Sequence, residues 1–258
     1  MKSSDFYVNS PNPDLHRFAR KNHCGQCKKK LANENFFKPA DIVKVTINTN
    51  DAIKKFFEMA LKEVKIDLLD VIDLKQMGQF IGSIFIQKVH ESIPYLVKTP
   101  SPTGNPDLIP SEYEKPPTAG WKQGYYDQFG HGGVEVKTSV GSMASGVTRG
   151  LATGLPRIEY LKGVEWKGHH TKINHLLGLF WDYTVKVPTI LGGFYSNKLR
   201  PDDFTYTDQK PGGGNTTNVA ITKSSAKEKM GQGWVFCTKK KKYSEFLSKK
   251  FYCDFKST

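Results

Sequence analysis

The chain contains no run of about 18 apolar residues, the length that crosses a bilayer as a helix, so no membrane-spanning helix is expected. Cysteine is scarce. The four present, Cys24, Cys27, Cys237 and Cys253, are too few to staple a disulfide scaffold. Residues 1–13 are polar and lack an apolar leader segment, so no secretory signal is expected. Reduced thiols and a cytoplasmic location follow as expectations. No internal repeat is visible. Acidic residues are also in short supply, with 25 Asp+Glu against 38 Lys+Arg and a net charge of +13. What is plentiful is core-forming mass. Sixteen Phe and eleven Tyr, within 38% hydrophobic residues, exclude a wholly disordered chain. A length of 258 residues suits one large domain, or one with a small appendage.

The positive charge is unevenly placed. Residues 1–136 carry a net +2 and residues 137–258 a net +11. A basic surface can serve solubility alone, but asymmetry between halves points to a polyanion lying against the C-terminal half. Nucleic acid is the expected partner.

Residues 1–40 read as loop-rich. The stretch 41–48 (DIVKVTIN) alternates and is β-branched, which predicts a strand or extended arm. Asn50 or Asp51 can cap a helix in which Ile53, Phe56, Phe57, Ala60, Leu61 and Val64 share one face. A second helix is predicted over 73–95, with Met77, Phe80, Ile81, Ile84, Phe85, Lys88 and Val89 along its buried stripe. A Pro/Gly-rich passage over 99–133 reads as short strands and turns. Strands are predicted over 133–140, 188–195 and 233–238, helices over 170–185 and 243–251. Residues 141–168 read as a Gly/Ser/Thr-rich loop that a ligand could order. Helix, strands, helix, strand is an α/β mixture.

The residues that carry chemistry are Asn105-Pro106-Asp107 and Glu135-Val136-Lys137. On a strand, Glu135 and Lys137 point to the same face. Burying a carboxylate and an ammonium together is costly unless they pair or meet a metal. Asp107 supplies a second carboxylate if the intervening residues fold as a hairpin. Two converging carboxylates make a hard oxygen site suited to Mg²⁺, and Lys137 beside them can position water and neutralise charge growing on a phosphate. The bland reading of the same pair is a salt bridge on a solvated sheet face.

This arrangement resembles the PD-(D/E)xK nuclease superfamily and, within it, the type II restriction endonucleases. The resemblance implies a restriction-endonuclease-like core, a mixed central sheet flanked by helices in the order αβββαβ, covering roughly residues 75–195. It divides the chain into an N-terminal extension and helix (1–70), a nuclease core (71–200) and a C-terminal basic embellishment of the same domain (201–258). It implies Asp107 and Glu135 as Mg²⁺ ligands, Lys137 as the water-positioning base, and Glu91, near the end of the preceding helix, as a supporting acid. The implied activity is site-specific hydrolysis of double-stranded DNA by a homodimer, leaving 5′-phosphate and 3′-hydroxyl ends. A repair or recombination nuclease on the same core is the alternative, and a non-catalytic DNA-binding protein the third reading.

For DNA contact the candidates are Arg149, Arg157, Lys162, Lys167, Lys172, Lys210 and Asn215, with Lys239 to Lys242 adding unspecific phosphate affinity. Singly, each is an ordinary solvated charge. Cys24-Gly25-Gln26-Cys27 has zinc-knuckle spacing, with His16 and His23 nearby, but Cys237 and Cys253 do not form a second CxxC pair. Structural zinc and free thiols are the two readings. His169, His170 and His175 suit DNA-facing or capping roles, and Trp166, Trp181 and Trp234 suit the core.

Overall fold

In the computed structural model the residues described are 1–10, 38–99, 106–111, 133–143, 151–168, 175–207, 218–221 and 223–256. The elements in chain order are β1 (Phe6–Val8), α1 (Pro39–Met59), a π-turn (Ala60–Val64), α2 (Leu68–Val71), α3 (Leu74–Ser92), β2 (Leu96–Lys98) and β3 (Leu108–Pro110). There follow β4 (Glu135–Ser139), β5 (Ser142–Met143), β6 (Leu161–Gly163), β7 (Lys167–Gly168), β8 (Leu176–Thr184) and β9 (Val187–Ser196). The last are β10 (Thr205–Thr207), β11 (Asn218–Ala220), α4 (Ser224–Gln232), β12 (Trp234–Thr238) and α5 (Lys241–Phe251). Among the described residues no helix is long and apolar enough to cross a membrane.

Five strands form a mixed sheet in the order β1-β12-β9-β8-β4, in which only the β4–β8 pair is parallel. Smaller sheets are β10-β11-β7, β2-β3 and β5-β6. Helices cover both faces of the central sheet. On one face α1 and α3 bury Ile42, Ile53, Met77, Ile81, Phe85 and Val89 against Val136, Leu177, Leu179, Trp181 and Tyr183. On the other, α4 and α5 bury Ala226, Met230, Tyr243, Leu247 and Phe251 against Leu176, Phe180, Phe194 and Trp234. The fold is therefore a mixed α/β sheet flanked by helices, and the flanks contribute to it directly: β1 comes from residues 1–70 and β12 from 201–258.

Two secondary-structure expectations are overturned, and the loop expected over 141–168 carries the short strands β5, β6 and β7. Residues 41–48 lie in α1, not in a strand. Ile42, Val45, Thr46, Thr49, Ile53 and Phe57 are buried at helical spacing, and Pro39 starts the helix where its missing N–H costs nothing. The alternation of Ile42, Lys44 and Thr46 is a by-product of this stripe. Asn50 is not a cap but a buried mid-helix residue. Its amide accepts from Ile190 N–H (2.8 Å) and donates to Ile190 C=O (3.1 Å). This satisfies a strand residue next to the irregularity between Phe180 and Trp181, where the β8–β9 ladder shifts register.

The second correction concerns the helix expected over 170–185. Residues 169–174 lie outside the described residues, and Leu176–Thr184 form not a helix but strand β8. Its first eight residues are all buried, because both sheet faces are covered. A strand buried on both sides is apolar throughout, so any subset of its residues can mimic helical spacing. The strands expected over 133–140, 188–195 and 233–238, and the helices over 73–95 and 243–251, occur with shifts of a few residues at their ends.

Candidate active site

The site is built on the edge strand β4. One side of β4 is paired with β8, with Glu135 opposite Leu176 and Lys137 opposite Gly178. The other side has a single antiparallel bridge, in which Leu108 and Val134 exchange N–H···O=C bonds of 3.0 and 2.8 Å. Carried one residue further, that register sets Asp107 opposite Glu135. The next outward N–H, that of Val136, has no strand partner and donates to Asp107 Oδ2 at 2.8 Å. The acid thus closes the open edge of the strand that carries the other acid.

Asp107 is held from behind. Its backbone C=O accepts from Thr99 N–H at 3.0 Å, and the buried Thr99 hydroxyl donates to Pro106 C=O. Gly133 allows the close approach: a Cβ there would lie 2.0 Å from Pro106 Cγ and 2.8 Å from the Leu108 carbonyl oxygen. The opposite face of β4 is pinned to α3, where Thr138 Oγ1 donates to the Gly78 carbonyl at 2.8 Å.

On the outward face the three charged groups meet. Lys137 Nζ forms an ion pair with Glu135 Oε1 and lies 3.9 Å from Asp107 Oδ2. The Glu135 side chain is 0% exposed, against 16% for Lys137 and 23% for Asp107, so the site is dry at Glu135 and opens on the Asp107 side. The Lys137 ammonium and the Asp107 backbone N–H lie close enough to favour charge on Glu135. These two donors leave part of the acceptor capacity of the Glu135 carboxylate unused.

Burial, helped by the Asp107 charge, pushes the Glu135 carboxyl up to about 7, with Lys137 pulling the other way. Burial also raises Asp107, against the pull of Lys137 and the Val136 N–H. For Lys137, burial works against the cation, but Glu135 and Asp107 outweigh it and hold the ammonium above its ordinary range. An ammonium is therefore fixed beside two acids that resist ionising together.

The wall beside Lys137 depends on Gly178. A Cβ at that position would lie 2.4 Å from the Trp166 indole, which packs over the strand and donates Nε1–H to the Leu179 carbonyl at 3.1 Å. All three tryptophans expected in the core, Trp166, Trp181 and Trp234, are buried.

Glu91 is not brought into this cluster. It is exposed in the last turn of α3 and accepts from Gln87 (3.1 Å) and Lys88 (2.7 Å), which hold its carboxyl below the usual range. Its helix packs on the Val136/Thr138 face, opposite to the face of Glu135 and Lys137. Arg157 is buried rather than surface-facing. Its backbone N–H serves Asp182 at 2.9 Å, its Nη1 lies 3.4 Å from Met143 Sδ, and its Nε has no partner. Lys162 and Lys167 are exposed. Arg149, Lys172, Lys210, Asn215, Cys24, Cys27, His16, His23, His169 and His170 lie outside the described residues. Cys237 and Cys253 are free thiols. His175 is buried, its Nδ1 3.0 Å from the Tyr195 hydroxyl, and burial brings it down to about 4, so it is a neutral packing residue.

Sequence reasoning missed the supports, Thr99, Gly133 and Gly178. Each acts through a close contact that exists only once distant segments have met. Comparison of the chain with protein-family models, with curated proteins and with solved structures finds no match in any of the three.

Proposed function

We propose that the chain is a Mg²⁺-dependent endonuclease that hydrolyses double-stranded DNA at a specific short sequence, in the manner of type II restriction endonucleases. The observation that carries this reading is the meeting of Asp107, Glu135 and Lys137 at the open edge of β4, where one ammonium stands between two close carboxylates, one of them fully buried. Two close carboxylates sharing one ammonium leave negative charge uncompensated, and an oxygen-seeking divalent cation satisfies it. Asp107 and Glu135 would hold it. When bound, such a cation polarises a phosphate oxygen and lowers the pKa of a coordinated water.

The chain's own residues account for the remaining roles. Asp107, on the more open side, faces the direction from which a phosphodiester arrives. Lys137 keeps its proton and sits where it can orient the attacking water and neutralise the charge that grows on the phosphate. Trp166 and Gly178 keep the floor apolar, which strengthens each of these electrostatic contacts. The basic C-terminal half supplies affinity for the DNA backbone.

The order of elements also supports a restriction-endonuclease-like core. Helix α3 is followed by β2, β3 and β4, each antiparallel to the last, and then, after the short strands β5 to β7, by β8 parallel to β4. The crossover helix of that pattern does not occur among the described residues between β4 and β8. A two-fold homodimer would place two such sites on the two strands of a palindrome.

One observation favours the non-catalytic reading: Glu135 is enclosed and already paired with Lys137, as in a structural ion pair. Digestion of a large mixed-sequence DNA with and without Mg²⁺ separates the readings. Discrete fragments that need Mg²⁺ are expected. Cleavage confined to branched or damaged substrates would indicate a repair or recombination nuclease, and no cleavage of any substrate would end the nuclease proposal. Lys137→Ala and Asp107→Ala should abolish cutting while retaining DNA binding.

A further inference from the structure

The apolar stripe of α1 outruns its cover. Ile53, Phe57 and Ala60 are buried, but Leu61 and Val64, which continue the same spacing, are 56% and 60% exposed. Phe56 and Met59 lie part-exposed beside them, and the Phe56 ring meets Phe80 of α3 at 5.2 Å. The chain then turns back. Lys65 takes a left-handed conformation (φ 61°), and its N–H and that of Ile66 both go to the Ala60 carbonyl. Ile66 and Val71 follow, both exposed. Leu69 of α2 lies against Gly154, where a Cβ would come within 2.6 Å of it, and the next residue, Leu155, is exposed as well. Monomeric proteins rarely leave so many neighbouring apolar side chains in water.

The charges around this face are segregated. Residues 54–65 carry Lys54, Lys55, Lys62 and Lys65 against Glu58 and Glu63. Residues 66–73 carry Asp67, Asp70 and Asp73 and no cation. Asp67 and Asp73 also cap the helices that follow them, accepting from Leu69 N–H at 2.9 Å and Gln76 N–H at 2.8 Å, and Asp70 stands exposed between them.

We propose that this face binds the same face of a second copy of the chain about a two-fold axis. In such a contact residue i meets j and j meets i, so the basic stretch of each copy lies on the acidic stretch of the other while the apolar stripes close between them. A partner of uniform charge would be repelled at one end of the face. A second copy, turned end for end, complements both ends. The inference does not rest on the nuclease reading, and its test reads mass alone.

Sedimentation of the full chain over a range of concentrations should give a species of twice 29.1 kDa. Val64→Lys and Leu61→Lys should each weaken the dimer by at least about tenfold, with an unchanged far-ultraviolet circular dichroism spectrum to show that the fold is intact. The orientation is read by charge exchange. A chain with Lys62→Asp and Lys65→Asp, and a chain with Asp70→Lys, should each dimerise poorly alone and recover when mixed. A monomer at every concentration overturns the proposal, as does a dimer that Val64→Lys leaves intact. Mixed chains that associate no better than the separate ones overturn the two-fold arrangement.

Discussion

Asp182 and Glu135 are both carboxylates on the central sheet, both fully enclosed, and they are treated in opposite ways. Asp182, on β8 just beyond the end of β4, accepts from four groups. Arg157 N–H reaches both oxygens at 2.9 Å, Ile158 N–H lies at 3.1 Å, Tyr183 N–H at 2.8 Å and the Tyr243 hydroxyl at 3.1 Å. It ties a loop and helix α5 to the buried stretch of β8 beyond the end of β4, and its lone pairs are used up. Glu135, one strand away, has only the Lys137 ammonium on one oxygen and the Asp107 backbone N–H nearby. Burial raises both acids. A saturated buried acid acts as a structural clamp, whereas a buried acid with free lone pairs is stable only beside a cation. The contrast separates architecture from chemistry without reference to any relative.

The largest expected effect falls on the clamp. Asp182→Ala strands several buried donors, and unfolding in urea should show a loss of about 3–5 kcal/mol. If Asp182→Ala instead proves as mild as a surface change, the contrast between the two acids is wrong. Glu135→Gln should move stability the other way, by a gain of about 1–2 kcal/mol at neutral pH, while removing Mg²⁺-dependent cleavage.

The pH dependence sharpens the same comparison. A carboxyl held at about 7 in the folded chain stabilises it fully below the ordinary carboxylate range and loses that contribution as pH rises through about 7. Unfolding free energies of wild type and Glu135→Gln should therefore converge toward pH 4, separate between about pH 4.5 and 7, and keep a constant offset above neutrality. Curves that stay parallel would place Glu135 in an ordinary solvated state.

The smallest effect calibrates the others at a site remote from both acids. Val185 and Lys186, joining β8 to β9, both adopt positive φ (52° and 63°), a two-residue turn that favours Asn-Gly. Replacing them with Asn-Gly should raise stability by about 1 kcal/mol and leave cleavage unchanged.

Part of this structure was legible in the sequence. The strand under Glu135 and Lys137 was readable because β4 has one covered and one opening face, which leaves a period of two. Helix α3 was readable because its buried stripe is flanked by polar residues. β8 was not, since a strand covered on both sides loses its alternation. The start of α1 was not, because its β-branched residues serve a helix face that only packing on β9 and α3 defines. For the candidate site, residue types and spacing gave Asp107, Glu135 and Lys137. The clamp at Asp182, and the seats at Gly133 and Gly178, depend on contacts between residues 25 to 61 positions apart, or on backbone approaches that no local pattern records.

The first strand of the chain pairs with the last. Val8 lies opposite Phe236, and the Asn9 amide donates to the Trp234 carbonyl, 225 positions away, at 2.9 Å. During synthesis, residues 6–8 have no partner until residues 234–238 have also left the ribosome, a wait of roughly 10–50 s at ordinary translation rates. The sheet is therefore sealed only once β12 has been made. A chain whose translation stops before residue 234 would carry an unmatched Phe6 edge that proteases and chaperones can reach.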